Sequence, residues 1–221
     1  MKKFWLMVLV VLGTATLQAQ DRDRDRIQDP DQNRDRLMLV DGDVLQIRDR
    51  DQVRLQDPIT LADGTVVNLN GTYVTPDRDR LRLRDGECLD NDGIKYRNEY
   101  QYRYKMMQDD KGLTNAQIQA RNQNRYQLML IDGELYQIRT QSQNRLQQQL
   151  ELANGTTINP DGTYMNQDRQ RLRLQNGECL NIDGVRFNNM YQHRKMMLQK
   201  NMMNMKSKKA NLQKKKAGQV M

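Results

Sequence analysis

The sequence has few of the residues on which enzymes and metal sites usually depend. Among its 221 residues there are one histidine and two cysteines. A zinc site needs several clustered thiols or imidazoles, and nucleophilic catalysis needs a nucleophile beside a base. Neither these patterns nor a glycine-rich phosphate loop occurs here. We therefore predict a protein that is not an enzyme and that needs no cofactor or small-molecule substrate.

Long hydrophobic runs are also scarce. The one apolar run extends from Phe4 to Leu12, which is shorter than the roughly 20 residues of a membrane span. Lys2 and Lys3 precede it, and small and polar residues follow it as far as Gln20. This order is typical of a secretory signal peptide. We expect residues 1–20 to be removed, leaving no membrane span, and the protein to be exported to the periplasm or exterior of a bacterium.

The two ends of the exported chain differ in charge. Residues 21–36 alternate acid and base with almost nothing apolar, which predicts a disordered spacer. Every charged residue after His193 is basic, so the formal net charge of +8 resides in the tail. Such a tail either binds anionic surfaces or only solubilises the chain end. Its lysines include Lys206, Lys208, Lys209, Lys214, Lys215 and Lys216.

The chain contains two copies of one pattern, 91 positions apart and without a gap. Gly42, Gly64 and Gly86 return as Gly133, Gly155 and Gly177. Inside each copy, the phrase Leu-x-Leu-x-Asp-Gly or a close variant returns every 22 residues. Self-similarity at a fixed period is typical of a repeat architecture.

The glycines of the repeat mark turns between short strands. Asp41-Gly42 is a strong hairpin signal, because a type I′ turn needs positive φ at both central residues. The same reasoning predicts a meander of roughly eight short antiparallel strands per copy. The predicted fold is mainly β, with two tandem β-hairpin repeat domains. Its segments are a first domain at 37–97, a helical linker at 98–126, a second domain at 127–188, and a helical to disordered Met/Lys-rich tail at 189–221.

One predicted hairpin turns at Asp85-Gly86. It would pair Leu83 with Cys88 and place Leu81 on the same core face. The second copy would repeat this face with Leu172, Leu174 and Cys179.

Helical spacing appears after each copy. Tyr100, Tyr104 and Met107 stand at i, i+4 and i+7, and Gly112 ends the segment. Thr114 and Gln117 have the spacing of a capping box, which predicts a second short helix towards residue 125. After the second copy, a further helix is expected to fray beyond Lys206. Its apolar stripe would consist of Tyr191, Leu198, Met202 and Met205.

Cys88 and Cys179 occupy equivalent positions in the two copies. In an exported protein they could form a disulfide that clamps the repeats together. The alternative is that each is a small buried apolar side chain in its own core.

Met190, His193 and Met196 are the one group with soft-metal character. Spacing of three places them along one side of a helix, and thioether and imidazole ligands favour Cu(I) or Ag(I). The adjacent Arg194 and Lys195 would repel a cation. A methionine stripe is also a common packing face. No metal site is assigned on this pattern alone.

LRLRDGECLDNDGIKY and LRLQNGECLNIDGVRF, with the Leu-x-Leu-x-Asp-Gly phrases before them, resemble a family of uncharacterised secreted bacterial repeats, domain of unknown function 6799. The resemblance covers residues 37–96 and 128–187, and Gly-Glu-Cys followed by Asp-Gly is its most specific part. It implies export to the envelope and no assigned activity.

These observations predict an exported, non-enzymatic envelope or surface module whose basic tail engages an anionic envelope component. A periplasmic binder of Cu(I) or Ag(I) that uses Met190, His193 and Met196 is the main alternative. Exposed sheet edges would also permit self-association through strand pairing.

Overall fold

The structure, a computed structural model, describes residues 36–217. The predicted signal peptide lies outside the described residues, and so does the predicted spacer except for Arg36. In the described part the chain is mainly β, with antiparallel hairpins in two repeats and a long C-terminal helix. The predicted fold class is therefore confirmed.

Each copy forms eight strands within the described range. Those of the first copy are β1 (Arg36–Val40), β2 (Asp43–Arg54), β3 (Ile59–Thr60), β4 (Val66–Val67), β5 (Thr72–Val74), β6 (Arg80–Arg82), β7 (Cys88–Asp90) and β8 (Lys95–Tyr96). Helices α1 (Glu99–Asp109) and α2 (Asn115–Asn124) follow.

The second copy repeats this order and ends in helix α3 (Met190–Ala217). Its strands are β9 (Tyr126–Ile131), β10 (Glu134–Arg145), β11 (Leu150–Glu151), β12 (Thr157–Ile158), β13 (Thr163–Met165), β14 (Arg171–Arg173), β15 (Cys179–Leu180) and β16 (Arg186–Phe187).

The two copies share one eight-stranded sheet, in the order β16-β15-β1-β2-β10-β9-β7-β8. The last hairpin of the second copy, β15–β16, pairs with β1 of the first. The last hairpin of the first copy, β7–β8, pairs in the same way with β9 of the second. The prediction of two separate β domains at 37–97 and 127–188 is corrected accordingly. The copies exchange their last hairpins, so the boundary between them does not divide the sheet.

The hydrophobic cores also cross between the copies. Strands β3 to β6 and β11 to β14 form two further four-stranded sheets. Each of these sheets packs against the first hairpin of the other copy. One core contains Leu152 and Tyr164 of the second copy together with Leu37 and Leu39 of the first. The equivalent core contains apolar residues from the segment 61–89 of the first copy and from the segment 128–135 of the second.

Glycine is required where the two copies approach most closely. Gly162 has a φ of 83°, and a Cβ there would lie 2.8 Å from Cδ1 of Leu39 in the other copy. Gly71 makes the equivalent approach to Leu130. Glycine is therefore required at these two turns both because φ is positive and because a side chain would collide with the other copy.

The helices cover the other face of the large sheet. Tyr102 and Met106 of α1 pack with Cys88 and Met129, and Leu198 of α3 joins the same core. The equivalent core contains Met38, Cys179, Met107 and Met190. Strand β1 is therefore buried on both of its faces.

Most of the predicted turns are hairpins, but the turn at Asp85-Gly86 is not. Asp41 and Gly42 both have positive φ, and Val40 pairs with Asp43 as a two-residue hairpin requires. At Asp85-Gly86 the chain instead passes from the small sheet to the large one. The Gly86 N–H donates to the Leu130 carbonyl at 2.9 Å.

The predicted pairing of Leu83 with Cys88 is therefore wrong, since β6 pairs with β5 and β7 pairs with β9. Leu83 and Cys88 lie in different cores. Leu81 is 47% exposed and Leu172 is 37% exposed, so neither is a fully buried core residue. Strand β7 therefore has β9 of the other copy as its partner, in place of the β6 that a local hairpin would have given it.

The two short helices form where they were predicted. Thr114 and Gln117 make both hydrogen bonds of a capping box at the start of α2. Of the residues predicted to share one face of α1, Met107 is buried but Tyr104 is 38% exposed, and the helix also buries Tyr102, Arg103 and Met106. Helix α3 extends through Lys206 to Ala217 and so includes the segment in which fraying is predicted.

The exchange of hairpins makes a prediction about chain cleavage. A specific protease site inserted after the exposed Gly112, in the α1–α2 connection, should allow the chain to be cut without separating its halves. Both halves contribute to the large sheet and to every core described above, so they should elute together from a sizing column and separate only in denaturant. Two fragments that elute independently under native conditions would contradict the exchanged arrangement.

Candidate functional site: a buried charge cluster at the base of helix α3

Five charged side chains meet between the large sheet and the helices. All are 5% exposed or less. They come from β1, β2, α1 and α3, and thus from both ends of the described chain. The members of this cluster are Arg36, Asp49, Glu99, Arg103 and Arg194.

Glu99 is the shared acceptor of the cluster. Its carboxylate accepts hydrogen bonds from Nε and Nη2 of Arg194, both at 2.8 Å. It also accepts from Nε and Nη2 of Arg103, at 3.1 and 2.7 Å. Bidentate bonds between a guanidinium and a carboxylate are among the strongest in proteins. Glu99 therefore ties α1 to α3.

Arg103 and Arg194 are equivalent residues of the two copies, and each binds a strand of the other copy. Arg103 contacts β10 of the second copy, and Arg194 contacts β2 of the first. Nη1 of Arg103 donates to Oγ1 of Thr140 and Oε1 of Gln143 on β10. Nη1 of Arg194 donates to Oδ2 of Asp49 at 2.7 Å and to a glutamine oxygen on β2. The arrangement is two-fold except that both carboxylates, Asp49 and Glu99, come from the first copy, where the second copy has Thr140 and Met190.

The electrostatics of the cluster keep both carboxylates ionised. Burial alone would raise the pKa of Glu99, but the guanidiniums of Arg194 and Arg103 outweigh it and hold the pKa well below its ordinary value. The pKa of Asp49 is lowered for the same reason, by Arg194, Arg36 and Arg103 against burial. Carboxylates that are paired with several arginines are suited to holding structure rather than to accepting a proton from a substrate.

His193 lies beside this cluster and is held neutral. It is 3% exposed, and its ring stands edge-on to Phe187 with 4.9 Å between ring centroids. Burial, with the nearby positive charges of Arg36 and Arg194, lowers the pKa of His193 to about 3. Its Nδ1 is buried and has no hydrogen-bond partner among the described residues.

The three soft-metal candidates do not share one environment. Met190 is 1% exposed and packs in the core with Met38, whereas Met196 is 37% exposed. Helical spacing of three therefore places two of them inside the protein and one at its surface. Among residues 36–217, no three His, Cys, Asp or Glu side chains are gathered as they would be to hold a metal ion.

Cys88 and Cys179 are both free and buried, so the disulfide alternative is wrong. Their strands, β7 and β15, are separated by four intervening strands of the large sheet. At about 4.8 Å per strand, this puts the thiols on the order of 20 Å apart, far beyond the reach of a disulfide. Burial raises the pKa of Cys179 to about 12 and raises that of Cys88 as well, so both thiols stay protonated.

The basic tail begins where α3 leaves the body. Leu198 is the last buried apolar residue among the side chains that the structure describes, and those from Met202 to Ser207 are exposed, Lys206 among them. Five predicted anion-binding lysines have side chains that lie outside the described part, although the helical backbone passes through their positions: Lys208, Lys209, Lys214, Lys215 and Lys216. No helix in the described range is long and apolar enough to cross a membrane.

The cluster itself could not be seen in the sequence. One usable signal is the recurrence of arginine at 103 and 194, in segments that also share Asn, Tyr and Gln at the positions 98, 100 and 101 of the first copy. Asp49 was concealed among the many alternating acids and bases of residues 48–51.

Removing the shared carboxylate should destabilise the protein strongly. Glu99→Gln removes the negative charge shared by two buried guanidiniums and replaces one acceptor oxygen with an NH2 donor, and breaking a buried pair in this way costs about 3 kcal/mol or more. The matched control is Glu134→Gln, which removes an exposed ion pair with Arg54 and should cost less than about 1 kcal/mol. The free energy of unfolding in urea measures both. Equal losses would show that the cluster is not a special source of stability.

The single histidine should make stability depend on pH. Its pKa is lower in the folded protein than in the unfolded chain, so the unfolded state binds the extra proton between pH 6.5 and about 3. Stability should thus fall with decreasing pH, by up to about 1.4 kcal/mol per pH unit below pH 6. His193→Phe should lack this slope between pH 6.5 and 5, above the range in which carboxylates add theirs. The test is urea unfolding at several pH values, and the same slope in both proteins would refute the assignment.

Comparison with known proteins identifies the repeat. The family model of a domain of unknown function (DUF6799) matches residues 34–94 and again residues 126–185. The two matches span β1 to β7 and β9 to β15, and together they cover more than half of the chain. No curated protein and no solved structure matches the chain. The chain therefore belongs to the DUF6799 family and carries two copies of its domain.

Proposed function

We propose that this protein is an exported, non-enzymatic module whose folded body positions α3 for binding to an anionic component of the bacterial envelope. The observation that carries the proposal is the division of α3 into a docked base and an extension that is exposed from Met202 to Ser207 and basic in sequence. Export rests on the signal-peptide pattern of residues 1–20.

The base of α3 is held firmly to the body. Arg194 makes four hydrogen bonds to Glu99, Asp49 and Gln52. Met190 and Leu198 are buried on either side of it. The direction in which the helix leaves the body is therefore fixed by the charge cluster.

The extension has the composition of a surface-binding helix. Met202, Met203 and Met205 are 51%, 67% and 47% exposed, and the sequence from Lys206 to Lys216 has six lysines and no acid. Flexible methionines adapt to irregular apolar surroundings. Lysines near an anionic lipid surface each contribute about 1 kcal/mol of attraction. The combination suits a membrane or glycolipid surface that carries negative charge.

Soft-metal binding is a second candidate, favoured by the unpartnered Nδ1 of His193. A neutral imidazole is the form that binds metal, and the lowered pKa keeps it neutral. Met190 lies in the adjoining core, but Met196 does not, so the set of three would have to rearrange around an ion. The neighbouring Arg36 and Arg194 oppose a cation at this position.

Anionic vesicles should bind the mature protein, and the binding should depend on the tail lysines. The variant replaces Lys206, Lys208, Lys209, Lys214, Lys215 and Lys216 with glutamine. Co-sedimentation with phosphatidylglycerol vesicles should weaken at least about a hundredfold in this variant, and for the native protein it should weaken steeply with added salt. Vesicles of phosphatidylcholine alone should not bind. We substitute the lysines rather than truncate the chain at His193, because truncation would also remove Arg194 and Leu198 from the docked base of α3.

The matched control neutralises six exposed basic residues of the body: Arg50, Arg54, Arg97, Lys105, Lys111 and Arg145. Equal loss of binding in this control would show that net charge, rather than α3, determines the interaction. A parallel titration with Ag(I) distinguishes soft-metal binding, the second candidate function, from binding to an anionic surface. Binding of silver that is insensitive to salt and is abolished in Met190→Ala and His193→Phe variants would favour metal handling instead.

A further inference from the structure

Each small sheet ends in an exposed edge strand of the same composition. Strand β6 is Arg80-Leu81-Arg82, and its equivalent β14 is Arg171-Leu172-Arg173. In both strands all three residues are exposed, and in the described part no further strand pairs beyond them.

The backbone of β6 presents its free hydrogen-bonding groups at the arginines. The Leu83 N–H donates to the Gly71 carbonyl, and the Thr75 N–H donates to the Asp79 carbonyl. Hydrogen-bonded pairs alternate along an antiparallel ladder, so Leu81 is the bonded partner of Tyr73 on β5. The N–H and C=O groups of the two arginines therefore point away from β5.

Strand β14 has the same geometry. Leu174 donates to Gly162, and Asn166 donates to Gln170, which places Leu172 in the bonded pair with Tyr164. The chain thus carries two equivalent open edges.

The side chains at these edges alternate between charge and apolar surface. Arg80 pairs with Val74 and Arg82 pairs with Thr72, so both arginines lie on the outer face of the small sheet. Leu81 faces inwards beside the buried Tyr73, yet 47% of it is exposed because no strand covers it. None of the edge arginines, including Arg171 and Arg173, forms an ion pair with another described residue within 4.0 Å.

We propose that β6 and β14 bind an extended segment of a partner protein in which acidic and apolar residues alternate, by addition of that segment as a fifth strand. An added strand would satisfy the free main-chain groups of the arginines. Acidic residues opposite the arginines would form close ion pairs with them, and the apolar residue between them would cover the exposed leucine. Two copies of this edge would place arginine opposite arginine, which disfavours self-association of β6 with β6 or of β14 with β14.

The probe is a capped eight-residue peptide in which glutamate alternates with valine, titrated into the full-length mature protein. We expect two sites per chain. Amide hydrogen exchange should slow at Arg80, Arg82, Arg171 and Arg173, whose N–H groups face the free edge. Protection of these amides is a result that charge attraction alone would not produce.

Two control peptides and two sets of substitutions test the proposal. A peptide with the same composition but four glutamates followed by four valines should bind at least about tenfold more weakly, and a backbone N-methylated version should not protect the amides. Replacing the four edge arginines with glutamine should weaken binding about tenfold, whereas the matched pair of changes Arg97→Gln and Lys111→Gln should leave it unchanged. Equal binding of the alternating and block peptides, or binding without amide protection, would overturn the proposal.

Discussion

The interaction of Glu99 with Arg103 and Arg194 is the one on which the arrangement of the remaining elements depends. It joins the helix that follows the first copy to the helix that follows the second, over the strands at which the two copies meet. Burying charges is costly, and such a cluster is favourable only when each charge has well-placed partners. Because these partners come from β2, β10, α1 and α3, a shift of any of these elements would leave a buried charge unsatisfied. The cluster therefore specifies one packing of the helices on the sheet.

The exchange of hairpins explains how two copies of about 60 residues each give one body. A sheet of short strands with few aromatic residues buries little surface, and small domains of this kind are marginal on their own. Here each small sheet covers the first hairpin of the other copy, and β1 is buried on both faces. Identical spacing of the glycines in the two copies follows from this geometry, because both turns at Gly71 and Gly162 must admit a leucine of the other copy.

Much of the local structure could be predicted from the sequence, and the reason is that it depends on neighbouring residues. The Asp41-Gly42 turn and the capping box of Thr114 and Gln117 are short-range features with their own physical signals. The turn at Asp85-Gly86 has the same local signal, but β6 pairs with β5 of its own copy and β7 pairs with β9 of the other copy. Likewise the burial of Arg194 could not be predicted, because a single sequence does not show that a carboxylate 95 positions away, that of Glu99, also faces the interior. Pairing between residues that are far apart in the chain could not be predicted, because local patterns carry no information about it.

The differences between the copies indicate where the proposed binding function resides. Most of what is duplicated, including the cores, the turn glycines and the arginine edges, obeys the two-fold relation. The segments that follow the copies do not: α1 ends at Asp109 beside further acidic and glycine residues, whereas the equivalent α3 continues past its docked base with lysines and no acid. Since Arg103 and Arg194 anchor both helices alike, this asymmetry is not needed for folding of the body. A long extension of basic sequence on one copy alone is what the proposed binding to an anionic partner outside the fold would require.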